Sequence, residues 1–564
     1  MPEHGRFHRR RRKFMPRKID ASEKAIEQLY ARYKVNAGMD ATQIEAKLMG
    51  KTKFVDSEFP PQLVSVTGDT KGNLEGKRRA RENLEDFEGL RWARPEEIYH
   101  DITIFKKGRG DKDAIEPNDI DQGTLGDCWF CSALACLAEN PAHITKALVT
   151  KKWSKSGAYD VRLCIAGVWQ IVTVDDCLPV HENGDPVFLS SKDHDLWVML
   201  IEKAYAKVHG SYLSLAGGFS AMAFEDITGC AAETLQFSTV MKGDPVKLWD
   251  FFVKHTSQED PVCISSISRP KECGFTEKEW KKTGIFSGHA YSVLDAKEHK
   301  GLRLLQVRNP WGGSESKLDF NDDDREHWTP ELIKAFGATF KEDGTFFIKF
   351  EDVLRCFNLV DICYMHGADC HPFQASRASS TFTTGDAKQL SHCWRFEITK
   401  ETEVVASIHQ KDERDPRVPR YIDHRVIIAD AASRGTVYAH KASMRKKSTV
   451  ARCTLEPGSY VLIAHTTGRR MAKLGYTEAP FAVSLHAAES TKLVPVDHRL
   501  ASNHAEQALM SMNGDVRSCA SDKMQKYAVL AVGILILVTV AMSKNAYLAH
   551  MHRTSFYHDQ LLFS

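Results

Sequence analysis

The sequence predicts an α+β protein, in which a mixed unit of helices and strands is followed by an antiparallel β-sandwich. Helical and strand-like segments alternate over residues 92–366, as is typical of a mixed unit. Over residues 373–485, short β-branched segments are separated by turn clusters such as Glu456-Pro457-Gly458, as is typical of a sandwich. The chain has 564 residues, which is more than one hydrophobic core usually supports, so several structural units are expected.

The composition is that of an ordinary globular protein. Hydrophobic residues make up 42% of the chain, charged residues make up 27%, and the formal net charge is +2. A net charge this small creates no overall electrostatic field that would attract nucleic acid, so no nucleic-acid partner is expected. The basic run at residues 8–13 has two interpretations, an anionic-membrane or localisation patch and a solvated arm.

The 14 cysteines do not indicate a disulfide framework. The first residues are basic and then polar, without the apolar segment of a signal peptide. Cys131, Cys136 and Cys164 lie inside apolar runs, where a free cysteine behaves as a small buried hydrophobic residue. We therefore expect an intracellular protein with reduced thiols.

One segment near the C-terminus is typical of a membrane span. Residues 528–542, AVLAVGILILVTVAM, carry no charge and are flanked by Lys526 and Lys544. The run is short for a hydrocarbon core of about 30 Å, but flanking lysines and tyrosines can reach the two interfaces. The sequence therefore predicts a C-terminal transmembrane helix, with the folded units that precede it in the cytoplasm.

The densest motif is DQGTLGDCWF, at residues 121–130. Its glycines predict a tight turn, and Asp127 is a favourable N-cap for the apolar run that follows. Cys128 therefore falls in the first helical turn, where the positive end of the helix favours a thiolate. Gln122 can present its amide above the sulfur and, with the backbone N–H of Cys128, form an oxyanion hole. The alternative is that Cys128 is one more buried cysteine of this helix.

A predicted hairpin supplies a base and a group to orient it, as cysteine catalysis requires. Residues 288–294 and 302–308 predict two strands with turn residues between them. If the hairpin is centred on His299, His289 lies directly opposite Asn309, because both are equally distant from that residue. Opposed residues have Cβ atoms about 5 Å apart, so the amide can hold one imidazole nitrogen while the other faces the thiol. The alternative is a structural histidine at the start of a strand.

These motifs resemble those of the calpain family of cysteine proteases. QGTLGDCWF is similar to the family's cysteine motif, GHAYSVL to its histidine motif and VRNPWG to its asparagine motif. They occur in the family's order. The resemblance covers roughly residues 51–366 and continues more weakly through the β-sandwich. It implies a calcium-dependent cysteine endopeptidase that performs limited intracellular proteolysis of protein substrates.

By that resemblance the core is papain-like, with two halves that close over a cleft. One half carries Gln122 and Cys128, and the other carries His289, Asn309 and Trp311. Trp311 can wedge into the cleft when the halves are misaligned. The predicted units are a basic and helical N-terminal segment (1–50), the protease core (51–366, with halves of about 51–236 and 237–366), the β-sandwich (367–488), a linker (489–526), the transmembrane helix (527–543) and a short tail (544–564).

The resemblance also implies calcium sites in the two halves. Asp119 falls on a first-site ligand position, and Glu315, Asp322 and Asp343 fall on second-site positions. Carboxylate oxygens on irregular loops suit Ca²⁺. Thr345 stands where the family often has a further acidic ligand, so a weak second site is expected. No organic cofactor is expected.

Other interpretations have different consequences. Cys363, His366, Cys370 and His371 are close in sequence, but their spacing fits no paired-ligand pattern, so zinc is not expected. The sequence has no EF-hand pattern, unlike the best-known calpains.

An inactive calpain-like scaffold, whose β-sandwich binds partners or phospholipid, is the main alternative to an enzyme. Acyl transfer by the same cysteine chemistry is a third. The joint presence of the cysteine, histidine, asparagine and glutamine favours the peptidase.

Overall fold

A computed structural model describes most of the chain. The described residues are 39–48, 52–68, 87, 89–107, 115–341, 343–365, 375–384, 389–415, 418–432, 436–489 and 491–512. The basic run and the apolar segment 528–542 lie outside them, as do His366, Cys370 and His371. Among the described residues, no helix is both long enough and apolar enough to cross a membrane.

The first half of the core is built around one buried helix. Its described elements are α1 (Ala41–Leu48), α2 (Leu63–Thr67), β1 (Arg91–Ala93), α3 (Pro95–Ile98), α4 (Cys128–Ala138), α5 (Pro141–Ala147), β2 (Ala158–Ile165), β3 (Val168–Asp175), β4 (Leu178–Val180), α6 (Leu196–His209) and α7 (Ser220–Thr228). Every residue of α4 after Cys128 is buried. A helix that is hydrophobic on all sides belongs in a core, and each fully buried leucine contributes about 1.5–3 kcal/mol.

The second half is a six-stranded antiparallel sheet with helices packed on it. Its described elements are β5 (Ala232–Gln236), α8 (Phe237–Met241), α9 (Pro245–Ser257), β6 (Val262–Ser266), α10 (Glu277–Thr283), β7 (Ala290–His299), β8 (Leu302–Arg308), α11 (Pro330–Phe336), β9 (Thr345–Lys349), α12 (Phe350–Cys356) and β10 (Phe357–Cys363). The strand order is β5-β10-β6-β7-β8-β9. A separate hydrophobic cluster fills this half.

The hairpin of β7 and β8 is tighter than the sequence predicts. Strand pairing extends to His299 opposite Leu302, so the turn consists of Lys300 and Gly301 alone. Both turn residues have positive φ angles, of 50° and 83°, as a two-residue hairpin turn requires. A bulge between Val293 and Asp295 shifts the register further along.

The predicted antiparallel β-sandwich is confirmed. Its strands are β11 (Ser376–Thr383), β12 (Ser391–Ile398), β13 (Thr402–His409), β14 (His424–Asp430), β15 (Val437–Ser443), β16 (Ser448–Leu455), β17 (Gly458–His465), β18 (Glu478–Ala487) and β19 (Val494–Pro495), and a short helix, α13 (Arg469–Leu474), follows β17. One sheet has the order β11-β18-β13-β16 and the other has β15-β14-β17-β12-β19. Side chains from both sheets form one shared core.

Part of the range predicted as a linker is ordered against the sandwich. Residues 498–512 form a helix, α14. Its buried face presents Ala501, Ala505, Ala508 and Met512 at helical spacing, and these pack on the five-stranded sheet around Val461. Small residues allow the helix to lie close to the strands.

Candidate active site

Cys128 is the first residue of α4 and is half-buried. Asp127 occupies the N-cap position as predicted, but its side chain makes no capping hydrogen bond. The expectation of a side-chain cap is therefore wrong. The carboxyl group turns into the core instead, where it accepts a hydrogen bond from Nε2 of Gln122 at 3.3 Å and faces Glu202.

Asp127 and Glu202 form a buried carboxyl pair next to Cys128. Burial raises the pKa of Asp127 to about 7. Burial, together with the charge of Asp127, raises the pKa of Glu202 well above its ordinary value. Two carboxyl groups in contact inside a core cannot both ionise, so they hold a shared proton. Glu202 was not predicted from the sequence, where its only signal is an acidic residue inside an otherwise apolar stretch of α6.

The surroundings of Cys128 favour the neutral thiol. Burial raises the pKa of Cys128, and backbone hydrogen bonds from Ala290 and Trp129 offset only part of that effect. Burial disfavours the charged form of the thiol and so acts against the thiolate that the helix end is expected to favour. Ala290 directly follows His289, so the sulfur already contacts the strand that carries the candidate base.

His289 and Asn309 form a buried pair. Nε2 of His289 lies 2.9 Å from Oδ1 of Asn309. The Asn309 amide nitrogen donates to the carbonyls of Gly313 and Ser314, at 3.0 Å each, so its oxygen must face the ring. Nε2 therefore carries the proton and Nδ1 is the free base. Burial lowers the pKa of His289 to about 4, although the bond to Asn309 opposes this.

The predicted register of these two residues is wrong, although their contact exists. Ser292 pairs with Arg308, so the position opposite Asn309 is two residues beyond His289. The two-residue turn and the bulge account for the shift. The side chains meet diagonally, which remains within reach of long side chains.

Trp311 bridges the two halves above His289. Its ring centroid is 4.4 Å from that of His289 and 4.3 Å from that of Phe286. Its indole N–H donates to Oε1 of Gln122 at 2.6 Å. The Gln122 amide nitrogen donates to the carbonyl of Leu125 at 2.7 Å. In this conformation, both the oxygen and the nitrogen of the Gln122 side-chain amide are therefore hydrogen-bonded to groups other than a substrate.

Two serines tie α4 to β7 directly. The hydroxyl of Ser132 donates to the carbonyl of Ala290 at 2.9 Å, and the hydroxyl of Ser292 donates to the carbonyl of Ser132 at 3.1 Å. Neither serine was predicted from the sequence. The available signal was a single hydroxyl in each of two apolar runs, CWFCSALACLA and AYSVL, because a buried hydroxyl needs a partner.

The residues predicted for the second calcium site lie on neighbouring loops. Glu315 accepts a hydrogen bond from the N–H of Gly344 at 3.2 Å, and Asp322 accepts one from the N–H of Lys341 at 2.7 Å. Burial and the charges of neighbouring carboxylates raise the pKa of Glu315 to about 7 and that of Asp322 to about 6. Asp343 is one of those neighbours.

The first predicted calcium residue, Asp119, lies in the other half and is buried. Its carboxylate accepts a hydrogen bond from the N–H of Glu116 at 2.9 Å, while burial raises the pKa of Asp119 to about 6. Asp193 lies near it and adds a like charge. No three His, Cys, Asp or Glu side chains in the described part of the chain converge closely enough to hold a metal ion as they stand. The carboxylate oxygens at these positions nevertheless suit a hard cation, because a bound cation would relieve the repulsion between neighbouring carboxylates.

The Cys128 thiol contacts the residue that follows His289, and Asn309 holds the His289 imidazole in one tautomer. A cysteine, a histidine and an asparagine in these roles are the groups that a cysteine protease uses. The family model of calpain family cysteine proteases matches residues 54–364, more than half of the chain. The chain belongs to the calpain family of cysteine proteases.

Individual relatives agree with this assignment. The calpain-type cysteine protease ADL1 of Oryza sativa subsp. japonica is 32% identical over 325 residues, which are 56% of this chain and 14% of that protein. The calpain-1 catalytic subunit of Rattus norvegicus is 32% identical over 338 residues, which are 58% of this chain and 44% of that subunit. The chain therefore matches less than half the length of either. The pre-peptidase C-terminal domain of collagenase from Bacillus anthracis aligns with 20% of this chain and 88% of its own, at 11% identity and a TM-score of 0.15.

Proposed function

We propose that the chain is a calcium-responsive cysteine endopeptidase that cuts protein substrates inside the cell. The observation that supports this most is the His289–Asn309 bond, which leaves Nδ1 as a base beside the strand residue that contacts Cys128. A scaffold without activity has no need for an imidazole held in one tautomer in a buried site.

In the proposed reaction, Cys128 gives its proton to Nδ1 of His289 and its sulfur attacks the scissile carbonyl carbon. The oxyanion that forms is stabilised by the N–H of Cys128 and the side-chain amide of Gln122. His289 then protonates the leaving amine, and the acyl group remains on the sulfur. Water, activated by the same imidazole, releases the acyl group and restores the thiol.

The conformation described above corresponds to a resting state in this proposal. Cys128 and His289 are both neutral, and Trp311 holds the Gln122 amide oxygen. Activity requires Gln122 to be released and the two halves to realign.

We propose that calcium drives this realignment. Glu315, Asp322 and Asp343 would hold one calcium ion, and Asp119 would contribute to another. A bound cation would supply positive charge among carboxylates that now repel one another. The loop that carries Glu315 begins next to Trp311, so a change in its conformation can reach the cleft.

We further propose that residues 528–542 anchor the enzyme in a membrane with the peptidase on the cytoplasmic side. The uncharged run between Lys526 and Lys544 supports this. Protein substrates are the proposed partners, and phospholipid at the β-sandwich is a second candidate.

Hydrolysis of casein by the 564-residue chain, with calcium or with chelator, tests the central proposal. Cys128→Ala should abolish hydrolysis, because no other group replaces the nucleophile. Cys131→Ala is the matched control, since Cys131 is on the same helix but fully buried. Activity that survives Cys128→Ala and disappears in a folded Cys131→Ala protein would contradict the assignment.

A further inference from the structure

A loop of the β-sandwich reaches the helix that carries Cys128. Arg414 lies on this loop, between β13 and β14, and its side chain is only 9% exposed. Its guanidinium carbon is 4.7 Å from the ring centroid of Trp129, the residue that follows Cys128. At this distance a cation is attracted by the face of the indole. The sandwich therefore contacts the core one residue away from the thiol.

Arg414 also holds the segment that borders the Cys128 turn. Its Nη1 donates hydrogen bonds to the carbonyls of Ser214, at 3.0 Å, and Gly217, at 2.7 Å. The N–H of Gly217 in turn donates to the carbonyl of Gly126 at 2.8 Å. One side chain of the sandwich is thus connected to the turn that precedes the thiol.

The same segment fixes Trp129 on the other side of the thiol. The indole N–H donates to the carbonyl of Leu215, and the Trp129 carbonyl accepts from the hydroxyl of Ser220, each at 2.9 Å. A Cβ atom at Gly218 would come within 2.5 Å of the indole and 2.8 Å of the Arg414 guanidinium. Gly218, the Trp129 indole and the Arg414 guanidinium are therefore too closely packed to admit another carbon atom.

Docking of the sandwich on this half does not depend on Arg414. Lys447 forms ion pairs with Asp226 and, at 3.3 Å, with Glu225, and His409 also bonds to Glu225. All four of these residues are buried. Loss of Arg414 should therefore leave the two units in contact and act on the segment next to the thiol.

We propose that Arg414 is a positioning residue of the peptidase, which holds residues 214–220 and the Trp129 ring so that Cys128 is presented correctly to the cleft. This inference rests on the proposed function. Misplacement of a reacting group by about 1 Å can cost about 100-fold in rate. We expect Arg414→Ala to lower kcat at least about tenfold, within that range, and to change KM by less than about threefold.

The test compares full-length Arg414→Ala and Arg414→Lys with Arg420→Ala, whose side chain is exposed on the same loop. One measurement is kcat and KM for a fluorogenic peptide in calcium. The other is the rate at which iodoacetamide alkylates Cys128, followed by peptide mass spectrometry with the exposed Cys273 as internal standard. Both are made at a temperature where circular dichroism shows every variant folded.

Arg414→Lys should have an intermediate effect, because lysine keeps the charge but lacks the planar fork that reaches two carbonyls. If Arg414→Ala does not fold, Gly218→Ala displaces the same ring and guanidinium without changing a charge, and it should show the same losses. Equal kcat and equal alkylation rates in folded Arg414→Ala, or Gly218→Ala, and Arg420→Ala would overturn the inference. Wild-type protein no more active than Cys128→Ala would refute the proposed function, while the alkylation rates would still decide the role of Arg414.

Discussion

Replacing His289 by alanine should leave the reactivity of Cys128 nearly unchanged in chelator and lower it strongly in calcium. In the structure, burial raises the pKa of Cys128 and lowers the pKa of His289 to about 4. Neither group is charged at pH 7, so no thiolate–imidazolium pair exists for the substitution to remove. In the proposed calcium-bound state the pair forms, and the imidazolium is what keeps the thiolate ionised.

The size of the effect follows from the ionised fractions. A thiol with an ordinary pKa of about 8.5 is about 3% ionised at pH 7, and a raised pKa lowers that fraction further. Because only the thiolate is alkylated, the resting rate should be at least about 30-fold below that of a fully ionised Cys128. A catalytic cysteine paired with a histidine has a pKa of about 3–4 and is almost fully ionised at pH 7. Calcium should therefore accelerate alkylation by about 30-fold or more, and His289→Ala should abolish that gain.

The assay is labelling of Cys128 by iodoacetamide at pH 7, in chelator and in calcium. His143→Ala is the matched control, since burial also lowers the pKa of His143 to about 4 but the residue lies on α5. His289→Ala should change the chelator rate by less than about threefold, as expected where no ion pair is lost. A tenfold fall in chelator would show that the thiolate–imidazolium pair is already present, and would contradict a resting state in which both groups are neutral.

Three further predictions concern Glu202, Glu315 and the C-terminal segment. A carboxyl group whose pKa is raised in the fold stabilises the fold below its unfolded pKa and loses that contribution as pH rises through its folded value, about 7 for Asp127. Glu202→Gln removes one carboxyl of the pair, so its melting temperature should fall less between pH 5 and pH 8 than that of the wild type; equal slopes would contradict the shared proton. Glu315→Gln should raise the calcium needed for half-maximal tryptophan fluorescence change and activity, whereas the exposed control Glu272→Gln should not; identical titrations would remove Glu315 from the site. Deletion of residues 526–564 should release the protein from carbonate-washed membranes, and unchanged retention would argue against the anchor.

The active-site residues could be predicted from sequence because each local pattern carries its own chemistry. The glycine-rich approach to an apolar helix placed Cys128, and two strand patterns placed His289 and Asn309 on one hairpin. The register failed because two local details, the Lys300-Gly301 turn and the bulge near Asp295, decide it. Composition alone cannot distinguish a two-residue turn from a longer turn when both contain glycine.

The features of the site that could not be predicted depend on contacts between residues distant in sequence. Asp127 has the composition of an N-cap, but a buried partner 75 positions away at Glu202 determines where its carboxyl points. From the sequence alone Arg414 is an ordinary charged loop residue, and only the packing of the sandwich on the core shows its contacts. Such contacts leave no periodic signal in the chain, so local patterns did not reveal them.

The pair of hydrogen bonds between Ser132 and strand β7 has a mechanical consequence. Groups close to a rotation axis move little, while those far from it move most. If the two halves turn about the contact at Ser132 and Ala290, Cys128 and His289 keep nearly the same separation. The bond between Gln122 and Trp311 joins the same two halves at a second place, and such a rotation would break it. A small rotation then opens or closes the oxyanion site, while the thiol and its base make only the short approach that formation of their ion pair requires.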